Sequence, residues 1–389
     1  MSRAPVLPGA TVGVVGGGQL GRMLALEARR MGYRVLVLDP EEDAPAAQVA
    51  DGHLRAPLND PEAMRELARR SDVVTLEWEN ADVDALRALP EGTRLHPGPH
   101  VLEVAQHRVR EKEEARRLGL PTAEFRPVAT REELHAALRE IGAPAVLKTS
   151  RMGYDGKGQV VIRDPARADE AFAALEQRPS GVELILEAFV PFRCEVSVVC
   201  ARTAAGEVAS FPVAENVHER GILDVSIVPA RVPESVEREA RRIAEALTEG
   251  LDVVGLLAVE MFVEEDGTIR VNEVAPRPHN SGHYTWEGCA TSQFEQHLRA
   301  VCGLPLGSTE LLRPAVMVNL LGEDVGTGPF PVAEALAERG VALHLYGKRE
   351  SRPGRKMGHL TALAATREEA LRLAVDARER VRRAVVRPA

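Results

Sequence analysis

Between residues 11 and 100 short apolar runs alternate with Arg- and Glu-rich helical stretches, and this rhythm constrains the fold more than any other feature of the chain. Thr11 to Val15, Tyr33 to Leu38 and Val73 to Leu76 are too short for helices and largely apolar, as strands buried on both faces are. Strands joined through helices run parallel, so the segment reads as an α/β domain with crossover helices. The pattern then changes. A charged helix between Gln106 and Gly119, closed by that glycine and followed by Pro121, reads as a connector. From about Thr122 to Leu306, paired strands with tight glycine turns are interrupted by two helices, which is α+β rather than doubly wound. Residues 311–389 add two or three strands and a final Arg/Glu helix from about Arg367. A chain of 389 residues is too long for one core, and the expected division is 1–105, 106–310 and 311–389.

Composition removes several classes of function. No apolar run approaches the roughly 18 residues that cross a bilayer, and the N-terminus lacks a signal-peptide core with its cleavage site, so a cytoplasmic protein is expected. Cys194, Cys200, Cys289 and Cys302 show no CxxC spacing and read as reduced core thiols. A net charge of -9 argues against nucleic acid, whose binding is dominated by neutralisation of phosphates. Of the 49 basic residues only five are lysines: Lys112, Lys148, Lys157, Lys348 and Lys356. A lysine kept against such an arginine bias points to a need for a compact ammonium.

Gly16, Gly18 and Gly21 follow the first strand and open a helix from Gln19, and Asp39 ends the second strand. This is the arrangement of a dinucleotide site, though the bare chemistry is that of any anion held at a helix N-terminus. Further on, Ala145 to Thr149, then SRMGYDGKG, then Gln159 to Arg163, read as strand, glycine-rich loop and strand. Backbone N–H groups around Gly153, Gly156 and Gly158, with Lys148 and Lys157, suit phosphates, although no Walker motif is present. The strand ELILEAFVPF offers an edge for adenine at Ala188 to Val190, with Glu187 to accept from the exocyclic amine and Glu195 for ribose.

The segment LLAVEMFVEEDGTIRVNEVAPRPHNSGH contains two apolar strands about Asp266-Gly267. A two-residue turn there pairs Glu265 with Thr268 and sets Glu260 opposite Glu273. Two carboxylates about 5 Å apart repel by roughly 3 kcal/mol at an effective dielectric near 20, and Mg²⁺ is the expected compensation. Arg277, His279, Asn280 and His283 follow immediately, a donor cluster suited to a small oxyanion.

Taken together, GGGQLGRM, GYDGKGQ, ENVHERGI, VNEVAPRPHNSGHYT and RPGRKMGH make the chain resemble, over nearly its whole length, the N5-carboxyaminoimidazole ribonucleotide synthetases. These are ATP-grasp carboxylases of purine synthesis. The resemblance implies an ATP-grasp fold with an N-terminal Rossmann-like domain and a small β-rich C-terminal one. It implies ATP contacts from Arg108, Lys148, the loop Gly153, Tyr154, Asp155, Gly156, Lys157, Gly158 and Gln159, then Glu187, Ala188, Phe189, Val190, Glu195, His218, Asn272 and Glu273. The ribonucleotide would lie among Gln19, Leu20, Glu77, Tyr154, Lys348 and Arg355. Bicarbonate would meet Arg277, His279 and Asn280. Tyr154, Asp155 and Lys157 are also assigned to the chemistry, with Asp155 the candidate for handling the amine proton and a surface acid of the loop the competing reading. Glu260 and Glu273 would hold Mg²⁺. Where many ATP-grasp enzymes place an asparagine ligand this chain has Ala275, which leaves a third protein ligand in doubt.

The implied reaction transfers the γ-phosphoryl of ATP to bicarbonate, and the carboxyphosphate, or the CO₂ it releases, is taken by the ribonucleotide amine. A homodimer and a separate mutase that receives the product are also implied. The alternatives are a sister ligase that activates formate, an NAD-dependent dehydrogenase using the first glycine turn, and an ATP-binding module without turnover.

Overall fold

A computed structural model describes residues 4–151, 153, 158–175 and 183–385. The first sheet has four parallel strands in the order Gly52–Leu54, Arg34–Leu38, Thr11–Val15, Val73–Leu76. The three apolar runs of the sequence are its centre, and Val12, Val14, Val37, Leu38 and Val73 are fully buried. Helix Gln19–Arg30 starts directly at the glycine turn, where Gly16 takes φ +94°, a conformation open to glycine and costly for other residues. The charged connector is the helix Arg108–Arg117.

A second sheet is antiparallel, in the order Phe125–Val128, Leu184–Ala188, Ala145–Thr149, Gln159–Ile162. Helix Arg131–Ile141 covers it. Thr130 and Glu133 form a capping box at its start, satisfying N–H groups that the first helical turn leaves unpaired.

The third sheet has nine antiparallel strands. Its path runs Ile269–Ala275, Gly255–Glu264, Phe192–Arg202, Ala214–Glu219, Ile222–Val228, Ala315–Leu321, Lys356–Leu363, Val341–Leu345, with Val208–Ser210 paired beside Phe192–Arg202. The C-terminal strands therefore continue the central sheet through the pairing of Val225 with Val318, and no break in hydrogen bonding separates them from it. Helix Glu234–Gly250 buries Val236, Ala240, Ile243, Ala244 and Leu247 against the central strands, and Arg367–Val385 covers the C-terminal ones.

The Asp266-Gly267 hairpin differs in detail from the sequence expectation. Glu264, not Glu265, pairs with Thr268: the Glu264 N–H donates to the Thr268 carbonyl at 2.9 Å and the Gly267 N–H to the Glu264 carbonyl at 3.0 Å. The loop is three residues long, with Gly267 at φ +86°, the left-handed position such loops require. Met261 then faces Val271, and a bulge shifts the register so that Glu260 nevertheless faces Glu273. Two one-residue offsets, at the turn and at the bulge, cancel.

Candidate active site

A cleft of about 1100 Å³ opens between the three sheets. Its walls include Gln19, Leu20, Glu77, Arg108, Lys148, Gly153, Gln159, Glu187, Ala188, Phe189, Val190, Glu195, His218, Glu260, Asn272, Glu273, Arg277, His279, Asn280, Lys348 and Arg355. Residues from every part of the chain thus converge on one cavity. Tyr154, Asp155, Gly156 and Lys157 lie outside the described residues. Gly158 is not part of the cleft wall: it has φ +73°, and a Cβ there would sit 2.7 Å from the Thr149 hydroxyl, so close packing accounts for this glycine.

On the side of the second sheet, Lys148 Nζ lies 2.9 Å from Glu187 Oε2, and Lys112 Nζ lies 3.4 Å from the same oxygen. All three are buried. Burial alone would raise the Glu187 carboxyl, but Lys112, Lys148 and Arg108 hold it down at about 2. Lys112 is itself pushed down by burial despite that partner. Glu187 Oε1 is buried and has no partner among the described residues, which suits an exocyclic amine. The main chain beside it offers less than the sequence suggests. The Ala188 N–H donates to the Glu124 carbonyl and the Phe189 N–H to the Pro144 carbonyl, so of the three N–H groups only that of Val190 remains for a purine among the described residues. Glu195 Oε2 lies 3.2 Å from His218 Nδ1; burial pushes this imidazole down, but the pairing prevails and its pKa is raised.

Glu260 and Glu273 face each other across the bulged hairpin, and their mutual repulsion is relieved from within the chain. Arg108 Nη1 donates to Glu273 Oε2 at 2.7 Å, while His279 Nε2 lies 3.0 Å from Glu260 Oε1. Repulsion by itself therefore does not require a cation. The donor set still fits Mg²⁺. Because the bulge breaks strict alternation, Asn272 and Glu273 both line the cleft, and Asn272 Oδ1 is a buried acceptor without a partner among the described residues. Two carboxylates and a spare carbonyl oxygen are the ligands a hard cation takes.

In the donor cluster after the hairpin, the Arg277 fork grips Glu79: Nη2 donates to Oε1 at 2.9 Å and Nε to Oε2. Asn280 and Asn319 exchange amide hydrogen bonds of 3.1 and 2.8 Å. His283 does not join them. It is fully buried, packs against Phe294, Tyr346 and His359, and burial drives its pKa well below the ordinary value. Four residues after His279 it has left the cleft for the core, because the intervening turn Asn280–Gly282 carries the chain inward.

The first glycine turn also differs from its sequence reading. Its donors are taken by carboxylates of the chain itself: the Gly18 and Gly21 N–H groups donate to Glu77 at 2.8 and 3.1 Å, and the Gly17 N–H to Asp39 at 2.7 Å. Asp39 thereby caps the turn, and the N–H groups that a dinucleotide pyrophosphate would need at Gly17, Gly18 and Gly21 are already engaged. Arg22 turns away to the Pro45 carbonyl and Gln48. The cation beside the turn comes from the other end of the chain, where Lys348 Nζ donates to Gln19 Oε1 and to the Lys356 carbonyl, both at 2.7 Å. Burial, with Arg355 adding to it, brings this ammonium down to about 8.

Glu79, Glu111 and Asn319 enter these contacts without any place in the sequence reading, and Lys112 has one only through the lysine bias. Glu111 accepts from the Val274 N–H at 3.0 Å and is pushed up to about 8, by burial and by Glu273 against the pull of Arg108. Arg108, Glu111 and Lys112 stand at i, i+3 and i+4 on the connector helix, so they share one face. The lone lysine of an Arg-rich helix was the available signal. For Glu79 there was none, since it acts on a residue nearly two hundred positions away.

Family models match in three consecutive blocks: the ribonucleotide synthetase preATP-grasp domain at 9–106, the ATP-grasp domain at 113–294, and the phosphoribosylaminoimidazole carboxylase C-terminal domain at 315–373. The N5-carboxyaminoimidazole ribonucleotide synthase of Bacillus subtilis is 49% identical over 372 residues, covering 95% of each chain. The crystal structure of an N5-carboxyaminoimidazole ribonucleotide synthetase with ADP superposes with a TM-score of 0.90 at 48% identity, covering 97% of this chain and 98% of that one. The Aspergillus clavatus enzyme in complex with ADP and 5-aminoimidazole ribonucleotide gives 0.88 at 37% identity, with 96% and 99% covered. With its three sheets, its shared cleft and these relatives, the chain belongs to the N5-carboxyaminoimidazole ribonucleotide synthases, ligases of the ATP-grasp fold.

Proposed function

We propose that the cleft carboxylates the amine of 5-aminoimidazole ribonucleotide at the expense of ATP and bicarbonate, releasing ADP and phosphate. The observation that carries this reading is the convergence of three separate ligand sets on one cavity. Glu187, through its unpartnered Oε1, and the Val190 N–H receive adenine, while Lys148 and Arg108 in the cleft wall face the phosphates and the buried Lys112 supports Glu187. Glu260 and Glu273, with Asn272 beside them, would hold Mg²⁺, which when bound neutralises charge on the transferring phosphoryl group. Arg277, His279 and Asn280 hold bicarbonate, and its oxygen takes the γ-phosphoryl group to give carboxyphosphate. The ribonucleotide amine attacks that carbon, a C–N bond forms, phosphate leaves, and one amine proton is released. Lys348 and Arg355 hold the ribonucleotide phosphate beside Gln19 and Leu20, while Glu77 orders the glycine turn through Gly18 and Gly21. Enclosure protects the labile intermediate from water.

The family resemblance supports a homodimer that hands its product to a separate mutase in the cytoplasm. Among the described residues no helix is long and apolar enough to cross a membrane. ADP release with each component withheld in turn tests the chemistry. It should require both bicarbonate and the ribonucleotide, whereas release that follows formate would select the sister ligase.

A further inference from the structure

Behind His279 a line of polar side chains runs through the central sheet and ends at the carboxylate of Glu260. Ser226 Oγ donates to Asn216 Oδ1 at 2.8 Å, and Asn216 Nδ2 donates to Ser197 Oγ at 2.8 Å. Ser197 Oγ donates to Ser281 Oγ at 2.7 Å, and Ser281 Oγ lies 2.9 Å from His279 Nδ1. Ser197, Ser226 and Ser281 are essentially inaccessible to solvent and Asn216 nearly so. Buried hydroxyls without partners are costly, so the order of donors along the line is dictated by what each group can give.

The last link fixes the direction. His279 is the N-cap of the turn Asn280–Gly282, and the Ser281 backbone N–H donates to His279 Nδ1 at 3.3 Å. A backbone N–H cannot reverse its role. An imidazole nitrogen that accepts from it, and from a hydroxyl as well, carries no hydrogen of its own. The proton of neutral His279 is therefore on Nε2, the atom 3.0 Å from Glu260 Oε1.

We propose that Ser281, supported by Ser197 and Asn216, is a positioning residue that holds His279 as the Nε2–H tautomer, donating to Glu260. In this arrangement His279 presents a hydrogen-bond donor to the reaction centre and is not its general base. The inference rests on the proposed role of Glu260 and His279 in the reaction. The placement of the proton, however, stands on the geometry alone.

Long-range ¹⁵N–¹H correlation spectra of the full chain labelled at histidine decide the placement, with the His279 signal identified by its absence in His279→Asn. A bare Nδ1 and a protonated Nε2 are expected. Ser281→Ala keeps the backbone N–H that bars a proton from Nδ1 and removes the hydroxyl that steadies the ring, so the Nε2–H tautomer should persist while kcat falls by about tenfold to a hundredfold, the scale for groups that orient metal-site ligands, with the KM values for ATP and ribonucleotide little changed. Ser281→Thr, which keeps the hydroxyl, should restore kcat. A protonated Nδ1 in the wild-type chain overturns the proposal, whatever the variants do. A Ser281→Ala chain with wild-type kcat removes the positioning role, and one that carries its proton on Nδ1 overturns the assignment of the tautomer to the backbone N–H. Failure of the wild-type chain to release ADP with bicarbonate would instead sink the functional reading and leave the spectra intact.

Discussion

Individual charges in the cleft are already paired, and each pairing sets what its removal should do. Glu273 meets Arg108 at 2.7 Å, and Glu260 meets His279. In Glu273→Gln an amide keeps the shape and still accepts from Arg108, so the fold should survive, with thermal denaturation little shifted. Ligation should fall by about a hundredfold or more, because a neutral oxygen is a poor ligand for Mg²⁺. Wild-type turnover at ordinary Mg²⁺ would remove Glu273 from the metal site. Lys112 is the residue that the lysine bias flagged and no motif explained. Lys112→Met withdraws one of two ammonium groups from Glu187 and should raise the KM for ATP by roughly tenfold, equivalent to about 1.4 kcal/mol. Glu187 gives the matching acid signature. Its folded carboxyl sits at about 2, below the ordinary 4.5, so the unfolded chain binds the extra proton first. Stability from this group is present above about pH 4.5 and is lost as the pH falls towards 2. Lys112→Met should move that loss to higher pH, measured as an acid unfolding midpoint.

At the scale of elements, the hairpin Gly255–Glu264 and Ile269–Ala275 shows what periodicity reads and what it does not. Alternation placed Glu260 and Glu273 on one face, and they are on one face. The route was different, since a three-residue loop and a bulge replace a two-residue turn and an unbroken ladder. A bulge depends on local hydrogen bonding and on the neighbouring strand, and neither has a sequence period. Gly267 is where the loop is strained: at φ +86° any side chain is disfavoured, and a Cβ would also meet Val236 Cγ2 at 3.3 Å. Gly267→Ala should therefore cost about 1 kcal/mol or somewhat more, read as a lower denaturation midpoint, while kcat stays close to wild type because the turn is not in the cleft wall. A large loss of kcat would mean that the turn sets the spacing of the acids. The connector helix Arg108–Arg117 carries the same lesson. Its charged composition suggests a solvated element, yet Glu111 and Lys112 are buried, because the face that bears them lies against Asn272 and Val274.

Across the whole molecule, the ends of the chain meet at Lys348 and Gln19, while Gln48 Nε2 donates to the Gly347 carbonyl at 2.9 Å and Arg349 reaches Asp43 at 2.8 Å. Lys348→Ala should raise the KM for the ribonucleotide by about one to two orders of magnitude, roughly 1.5–3 kcal/mol for a charge-assisted contact, and leave that for ATP nearly unchanged. A parallel loss for ATP would indicate a folding defect. Because burial and Arg355 lower the Lys348 ammonium to about 8, its charge is present below that pH and lost above it. The KM for the ribonucleotide should accordingly climb as the pH passes about 8, and Lys348→Ala should abolish that dependence. For stability the sign is opposite: the unfolded ammonium keeps its proton to about 10.5, so the folded chain gains relative stability between about 8 and 10.5. What the sequence by itself determined was local: the parallel strands, the helix at Gln19 and the acid pair, together with the motifs that carry the family. Those follow from periodicity, turn chemistry and residue type, which neighbouring positions share. Only the tertiary structure decided that Glu77 would take the donors of the first glycine turn, that Glu79 would grip Arg277, that His283 would be core, and that the C-terminal strands would extend the central sheet. Each of these depends on which distant group reaches an unsatisfied donor or buried face first, and that competition is settled in space.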